Sequence, residues 1–180
     1  MPRTLTGKAV ASQWDRPEDW RDSKSVPPAK GCALSTELLV KRFTISATPA
    51  WVAAYLRNPV HYVNLNPFVT EVRDVHRLDE SATFTAVERI KVLGSIRRNN
   101  LLRIEVSSDA DKCVAYDVTA KGGISVRIET EIAEVDGGTQ IRDSIELTVP
   151  VLVRKFAVRQ ARAAQEFRAN ALMELASELG

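Results

Sequence analysis

The sequence predicts an α+β domain: a seven-stranded antiparallel sheet, two short helices after its first strand, and a long C-terminal helix covering one sheet face. Three observations carry this. Between Thr44 and Leu78 the chain is punctuated by Pro49, Pro59 and Pro67, which open one helix, restart a second and launch a new strand. From there to Pro150, strand-like runs alternate with short turns built on Gly, Asp and Ser, and such turns require antiparallel neighbours. After Pro150 there is no Gly or Pro until Gly180, in a stretch rich in Ala, Arg, Glu and Leu.

Residues 1–35 read as a disordered or loosely docked arm, because four prolines and many charges leave little apolar periodicity. Within it, Asp15 and Glu18 make a capping-box-like start for a short helix over about 16–23. That helix would carry Trp14 and Trp20 either to a partner or back onto the domain surface. The domain proper is expected over 36–180. Its first strand runs from Glu37, with Leu39, Phe43 and Ile45 on one face. Helices over about 48–57 and 60–65 are too short to stand alone, so packing of Trp51, Val52, Tyr55, Leu56, Tyr62 and Leu65 must hold them.

Six strands follow, over about 68–78, 82–93, 99–108, 112–120, 124–135 and 139–149. The first of these is apolar at every third position (Val69, Val72, Val75, Leu78), which fits a bulged strand. The strand over about 99–108 follows Gly94 and the polar run Arg97–Asn100, with Arg97 and Arg98 in the loop. In the sixth strand Ile124, Val126, Ile128, Thr130 and Ile132 face one way and charged residues the other, so one face is wet and one covered. The cover is a helix over about 151–179, some 40 Å long at about 1.5 Å per residue. Leu152, Phe156, Gln160, Ala163, Ala164, Phe167, Ala171, Leu175 and Leu179 are expected on its inner face. That face is bulky at its ends and small in its middle, leaving room beneath.

Composition removes several function classes. With 25 basic and 23 acidic residues the net charge is +2, too small for a general nucleic-acid field. No apolar run reaches 18 residues and no apolar leader opens the chain, so a cytoplasmic protein is expected. Two cysteines in unlike contexts read as reduced thiols. Two histidines and two cysteines, none at ligand spacing, speak against a metal. Gly122-Gly123 and Gly137-Gly138 occupy hairpin turns rather than a phosphate-binding loop, so no cofactor is expected.

Strand, two short helices, six antiparallel strands and a long final helix is an order that resembles the helix-grip fold of the START-like (SRPBCC, Bet v 1-like) superfamily. The nearest type is the polyketide cyclase/dehydrase and coenzyme-Q-binding one. Ile45-Ser-Ala-Thr-Pro49 with Trp51-Val52, then Tyr62, Leu65, Pro67 and Val69, and finally Gly137-Gly-Thr139 and Val149-Pro150 carry the likeness. It implies a curved sheet of order 1-7-6-5-4-3-2 with the long helix across its concave face. It also implies a cavity for lipids, quinones, polyketides or related compounds, with catalysis in only some members.

Two carboxylates break the strand alternation. Glu88 shares a face with Phe84, Ala86 and Ile90, and Asp143 with Ile141, Ile145 and Leu147. A carboxylate facing a core must be paired, solvated or protonated. Each therefore either lines a cavity as a polar handle or proton-transfer group, or reaches water or a buried Arg. In the implied sheet order their strands lie four steps apart, nearly 20 Å at about 4.8 Å per step, which suits opposite walls rather than a carboxylate dyad. His61 and Tyr116 complete the candidates for catalysis. On the final helix Arg154, Lys155, Arg159 and Arg162 crowd the start, against the macrodipole. With Arg97 and Arg98 they suggest an anionic ligand head-group, an acidic lipid surface or acids on the sheet rim; the competing reading is a solvated face with pairs such as Arg162–Glu166.

The expected function is binding or carriage of a hydrophobic small molecule. Its walls would come from Phe84, Ile90, Tyr116, Ile128, Ile145, Phe156 and Phe167, with Tyr62 and Phe68 at the mouth, and Glu88, Asp143 and Gln160 as polar handles. The alternatives are a cyclase, aromatase or dehydratase on a polyketide-like substrate, and a protein- or membrane-interaction module.

Overall fold

A computed structural model describes residues 33–78, 81–93 and 96–179. The expected arm, with Trp14, Trp20 and Cys32, lies outside these residues except at its end, where residues from Leu34 onward already belong to a strand. Strand β1 spans Leu34–Ile45, and helix α1 spans Pro49–Arg57. Thr48 caps α1 by accepting from the Trp51 N–H at 3.3 Å, and Pro49 fills the first helical position, where a missing N–H costs nothing. A 3-10 turn over Pro59–His61 leads into α2, a single turn over Tyr62–Leu65. Asn58 opens the 3-10 turn by accepting from the Val60 N–H.

The sheet continues through β2 (Val69–Leu78), β3 (Ser81–Leu93), β4 (Ile96–Asp109), β5 (Cys113–Ala120), β6 (Ile124–Val135) and β7 (Gly138–Pro150). Its order is β1-β7-β6-β5-β4-β3-β2, antiparallel throughout. The every-third-residue pattern of β2 produces register shifts against β3 between Val69 and Glu71 and between Arg73 and His76. Asp74 adopts a positive φ of 54° within the second shift.

Three expectations need correction. β4 starts at Ile96, so Arg97 and Arg98 belong to a strand, opposite Lys91 and Ile90, and not to a loop beside the last helix. That helix, α3, spans Arg154–Ser177 after a 3-10 turn over Val151–Val153. Its buried residues are Ala164, Gln165, Arg168, Ala169, Leu172 and Ala176. Leu152 is 92% exposed and Phe167 is 41% exposed, so the inner face is turned by about one residue, roughly 100°, from the apolar stripe.

Beneath the sheet's concave face the core is divided. Val52, Ala53 and Leu56 of α1 and Leu65 of α2 pack onto Phe84, Ile104, Val106 and Tyr116. Tyr62 meets Phe84 edge-on at 5.4 Å and Tyr116 at 5.6 Å. Side chains fill this end of the cup, apart from a half-open crevice of about 190 Å³ between Arg57, Pro59, Arg77, Leu78, Ala82 and Val106. The strand-edge closure is held at Gly138, where a Cβ would stand 2.1 Å from the Ile45 carbonyl oxygen, and by Thr139, whose hydroxyl donates to the Ala47 carbonyl at 2.5 Å.

Gly138→Ala is expected to destabilise the protein by roughly 2 to 4 kcal/mol, since both its φ of 157° and the β1 backbone refuse a side chain. Gly122→Ala meets no atom within 4 Å and should lose only the smaller cost of a positive φ. Urea unfolding of the two variants checks the contrast.

Candidate functional site

The other end of the cup is open. Between α3 and the ends of β3 to β7 lies a cavity of about 310 Å³, partly open to solvent. Its floor is a continuous band of inward-facing neighbours across the sheet: Glu88 opposite Asn100, Leu102 opposite Ala120, Val118 opposite Val126, and Ile128 opposite Ile145. Its roof is the first half of α3, where Ala157, Ala161 and Ala164 offer methyl groups in place of large side chains. Tyr62, Asn66 and Phe68 form one side, and the half-exposed Val153 and Phe156 form the rim.

Of the residues singled out from the sequence, Tyr62, Phe68, Glu88, Ile90, Ile128, Ile145, Phe156 and Gln160 border this cavity. Phe84 and Tyr116 instead belong to the filled end, both buried. The Tyr116 hydroxyl donates to the Leu56 carbonyl in the last turn of α1 at 2.5 Å, and burial pushes its pKa well above the usual phenol value. Phe167 is displaced to solvent by the rotation of α3. His61 stacks on Tyr55 at 4.1 Å, with Nδ1 3.1 Å from the Tyr55 carbonyl, and serves the α1 terminus rather than the cavity.

Glu88 is half-buried on the cavity wall and accepts from the Asn100 amide at 3.3 Å. Burial raises its pKa above the ordinary 4.5, and the Asn100 hydrogen bond offsets only part of this.

Asp143 meets the other fate open to it, a buried pair. At 1% exposure it lies beneath α3. Its Oδ1 accepts from Thr130 Oγ1 at 2.9 Å, on the neighbouring strand, and from Arg168 Nη1 at 3.1 Å. One turn earlier on the helix, the Gln165 amide donates to the Asp143 backbone carbonyl at 2.9 Å. Arg168 is 4% exposed and borders the cavity. Burial works against its charge, but Asp143, with Tyr62 and Tyr116 adding to it, outweighs that and leaves its pKa raised. Asp143 is therefore not a cavity handle itself; Arg168, which the apolar stripe passed over, stands at the cavity in its place. The available signal was the inward carboxylate, which demanded a cation from whatever covered it.

One of the cations at the start of α3 is also committed. Arg154 pairs with Glu37 and Lys41 with Glu166, both between α3 and β1, and no Arg162–Glu166 ion pair is present among the described residues. Arg159 lies over the Phe156 ring at 5.9 Å. Lys155 and Arg98 are exposed, and the side chain of Arg97 lies outside what is described. Among the described residues no helix is long and apolar enough to cross a membrane.

The family model for polyketide cyclase / dehydrase and lipid transport matches residues 38–180. Among solved structures, the Zhui aromatase/cyclase from Streptomyces sp. R1128 is similar with a TM-score of 0.66 at 16% identity, covering 79% of this chain and 94% of that one. A protein from Thermus thermophilus gives 0.63 at 16% identity over 80% and 99% of the two chains. A START superfamily protein from Mycobacterium smegmatis gives 0.62 at 12% identity over 79% and 99%. At these identities the structures share the fold. No curated protein matches the sequence.

Two outcomes test this description. Asp143→Asn leaves the Arg168 charge buried without a counter-charge and should cost about 3 kcal/mol; adding Arg168→Met should recover at least half of that in a urea double-mutant cycle. Glu88 is protonated more readily in the folded than in the unfolded chain, so its ionisation costs stability above pH 4.5. Glu88→Gln should therefore raise Tm at pH 7 to 8, the gain shrinking as pH falls toward 4.5 and vanishing below it, in a thermal-shift series.

Proposed function

Because this chain belongs to the polyketide cyclase / dehydrase and lipid transport family, we propose that it binds and carries a hydrophobic small molecule, such as a lipid, quinone or polyketide-like compound, without transforming it. The observation that carries this reading is the cavity: about 310 Å³ of mainly apolar space beneath α3, larger and more apolar than the crevice at the α1 end. Sites for small molecules have this character, concave and apolar with a few placed polar groups. Here those groups are Glu88 with Asn100, Gln160, and Arg168 in the place expected for Asp143.

Carriage is favoured over chemistry because the other candidate acid–base groups are committed elsewhere. Tyr116 is spent on α1, Asp143 on Arg168, and His61 on the Tyr55 carbonyl. The cyclase or dehydratase reading rests on Glu88 alone, a cavity carboxyl whose raised pKa suits proton transfer. Contact with an acidic membrane, if it accompanies loading, would use the exposed Leu152 and Phe156 rim beside Lys155 and Arg159.

Extraction of the purified full chain followed by mass spectrometry should release a co-purifying hydrophobic compound. Ala161→Phe, which places a ring in the cavity, should reduce its recovery at least about tenfold with the circular dichroism spectrum unchanged. Empty wild-type protein that also fails to take up apolar probes would overturn the reading.

A further inference from the structure

Of the polar groups on the cavity wall, Arg168 has the most unassigned donor capacity. A guanidinium offers five N–H donors, yet among the described residues this one makes a single hydrogen bond, from Nη1 to Asp143 Oδ1 at 3.1 Å. It is 4% exposed and borders the cavity. Phe156, at the rim, precedes it on the helix by 12 residues, about 18 Å along the axis. Arg168 therefore sits at the inner end of the cavity, with Tyr62 and Gln160 also on its walls. Elsewhere the lining is mainly apolar, so a ligand that fills this space meets one concentrated source of donors.

Resting on the reading that the cavity holds a hydrophobic molecule, we propose that Arg168, oriented by Asp143, is a ligand-binding residue that selects for a neutral acceptor oxygen, a carbonyl, at the ligand's inner end. The charge balance supplies the reason. Arg168 and Asp143 cancel, so a ligand carboxylate would bring a second, uncompensated negative charge into a buried apolar space, in the same cavity as Glu88. A hydrocarbon would leave the remaining guanidinium donors unpaired. A carbonyl accepts a charge-assisted hydrogen bond and adds no net charge. Asp143 also limits how the guanidinium swings, since it is itself held by Thr130 and its backbone by Gln165.

The test uses the full chain and matched probes on two scaffolds: 2-acetonaphthone, 2-isopropylnaphthalene and 2-naphthoate, and 2-decanone, decane and decanoate. Binding is measured at pH 7 by competition with a fluorescent apolar probe. On at least one scaffold the ketone should bind about tenfold or more tighter than both companions, as expected for one charge-assisted hydrogen bond. In Arg168→Met/Asp143→Asn, which removes the pair without leaving a lone charge, the ketone advantage should fall below about threefold. The infrared carbonyl stretch of the ketone bound to wild-type protein should lie below its value in a hydrocarbon solvent, a readout independent of any variant. Equal affinities within each set, a winning carboxylate, an advantage that survives in the double variant, or an unshifted carbonyl stretch overturns the assignment to Arg168 and leaves the carrier reading standing. Failure of every probe on both scaffolds to bind overturns both.

Discussion

The contact between Asp143 and the α3 turn carrying Gln165 and Arg168 sets how the long helix lies on the concave face, and with it the cavity. A carboxylate on the inner side of β7 has to be neutralised, and Arg168 is the cation delivered to it. Two hydrogen bonds from one helical turn, to the side chain and to the main chain of the same residue, specify both the rotation and the axial position of α3. A well-packed apolar pair could equal this contact in stability. What the ion pair adds is direction, because apolar packing alone would accept the stripe that includes Phe167.

The cavity is a consequence of that rotation. With Arg168 turned inward, the first half of α3 presents Ala157, Ala161 and Ala164 to the sheet, while Phe167 goes to solvent. At the opposite end, α1 brings Val52 and Leu56 down onto Phe84, Ile104 and Tyr116, and the Tyr116 hydroxyl satisfies a carbonyl that the end of α1 would otherwise leave unpaired. The cup is thus filled by one helix and left hollow by the other. Side-chain size accounts for the difference: alanines on α3 where α1 carries Val52 and Leu56. The cations at the start of α3, unfavourable toward the macrodipole, are explained in part by β1, where Glu37 receives Arg154.

How far the sequence could be read depends on the range of the interaction concerned. Pro49, Pro59 and Pro67 act on their own backbone, so the helices between β1 and β2 were legible to within a residue or two. The strands bounded by Gly122-Gly123 and Gly137-Gly138 were legible for the same local reason. The bulges of β2 were visible in its three-residue apolar spacing. Where local chemistry was ambiguous the reading slipped: Arg97 and Arg98 look like part of a turn, but the ladder with β3 draws them into β4.

The sequence by itself determined the fold, the sheet order's antiparallel character and the two inward carboxylates, because hydrophobic alternation and turn residues act over a few positions. Only the tertiary structure decided what those carboxylates do. Glu88 and Asp143 occupy equivalent places in their strands' patterns, yet one faces the cavity with Asn100 for company and the other is sealed under Arg168. Their partners come from 12 and 25 residues away, across a sheet ladder and from a helix whose rotation no periodicity defines. A helix with one strongly apolar stripe would have announced its inner face. This one divides its apolar residues between two adjacent stripes, and the choice between them is made by a charge that must meet its counter-charge.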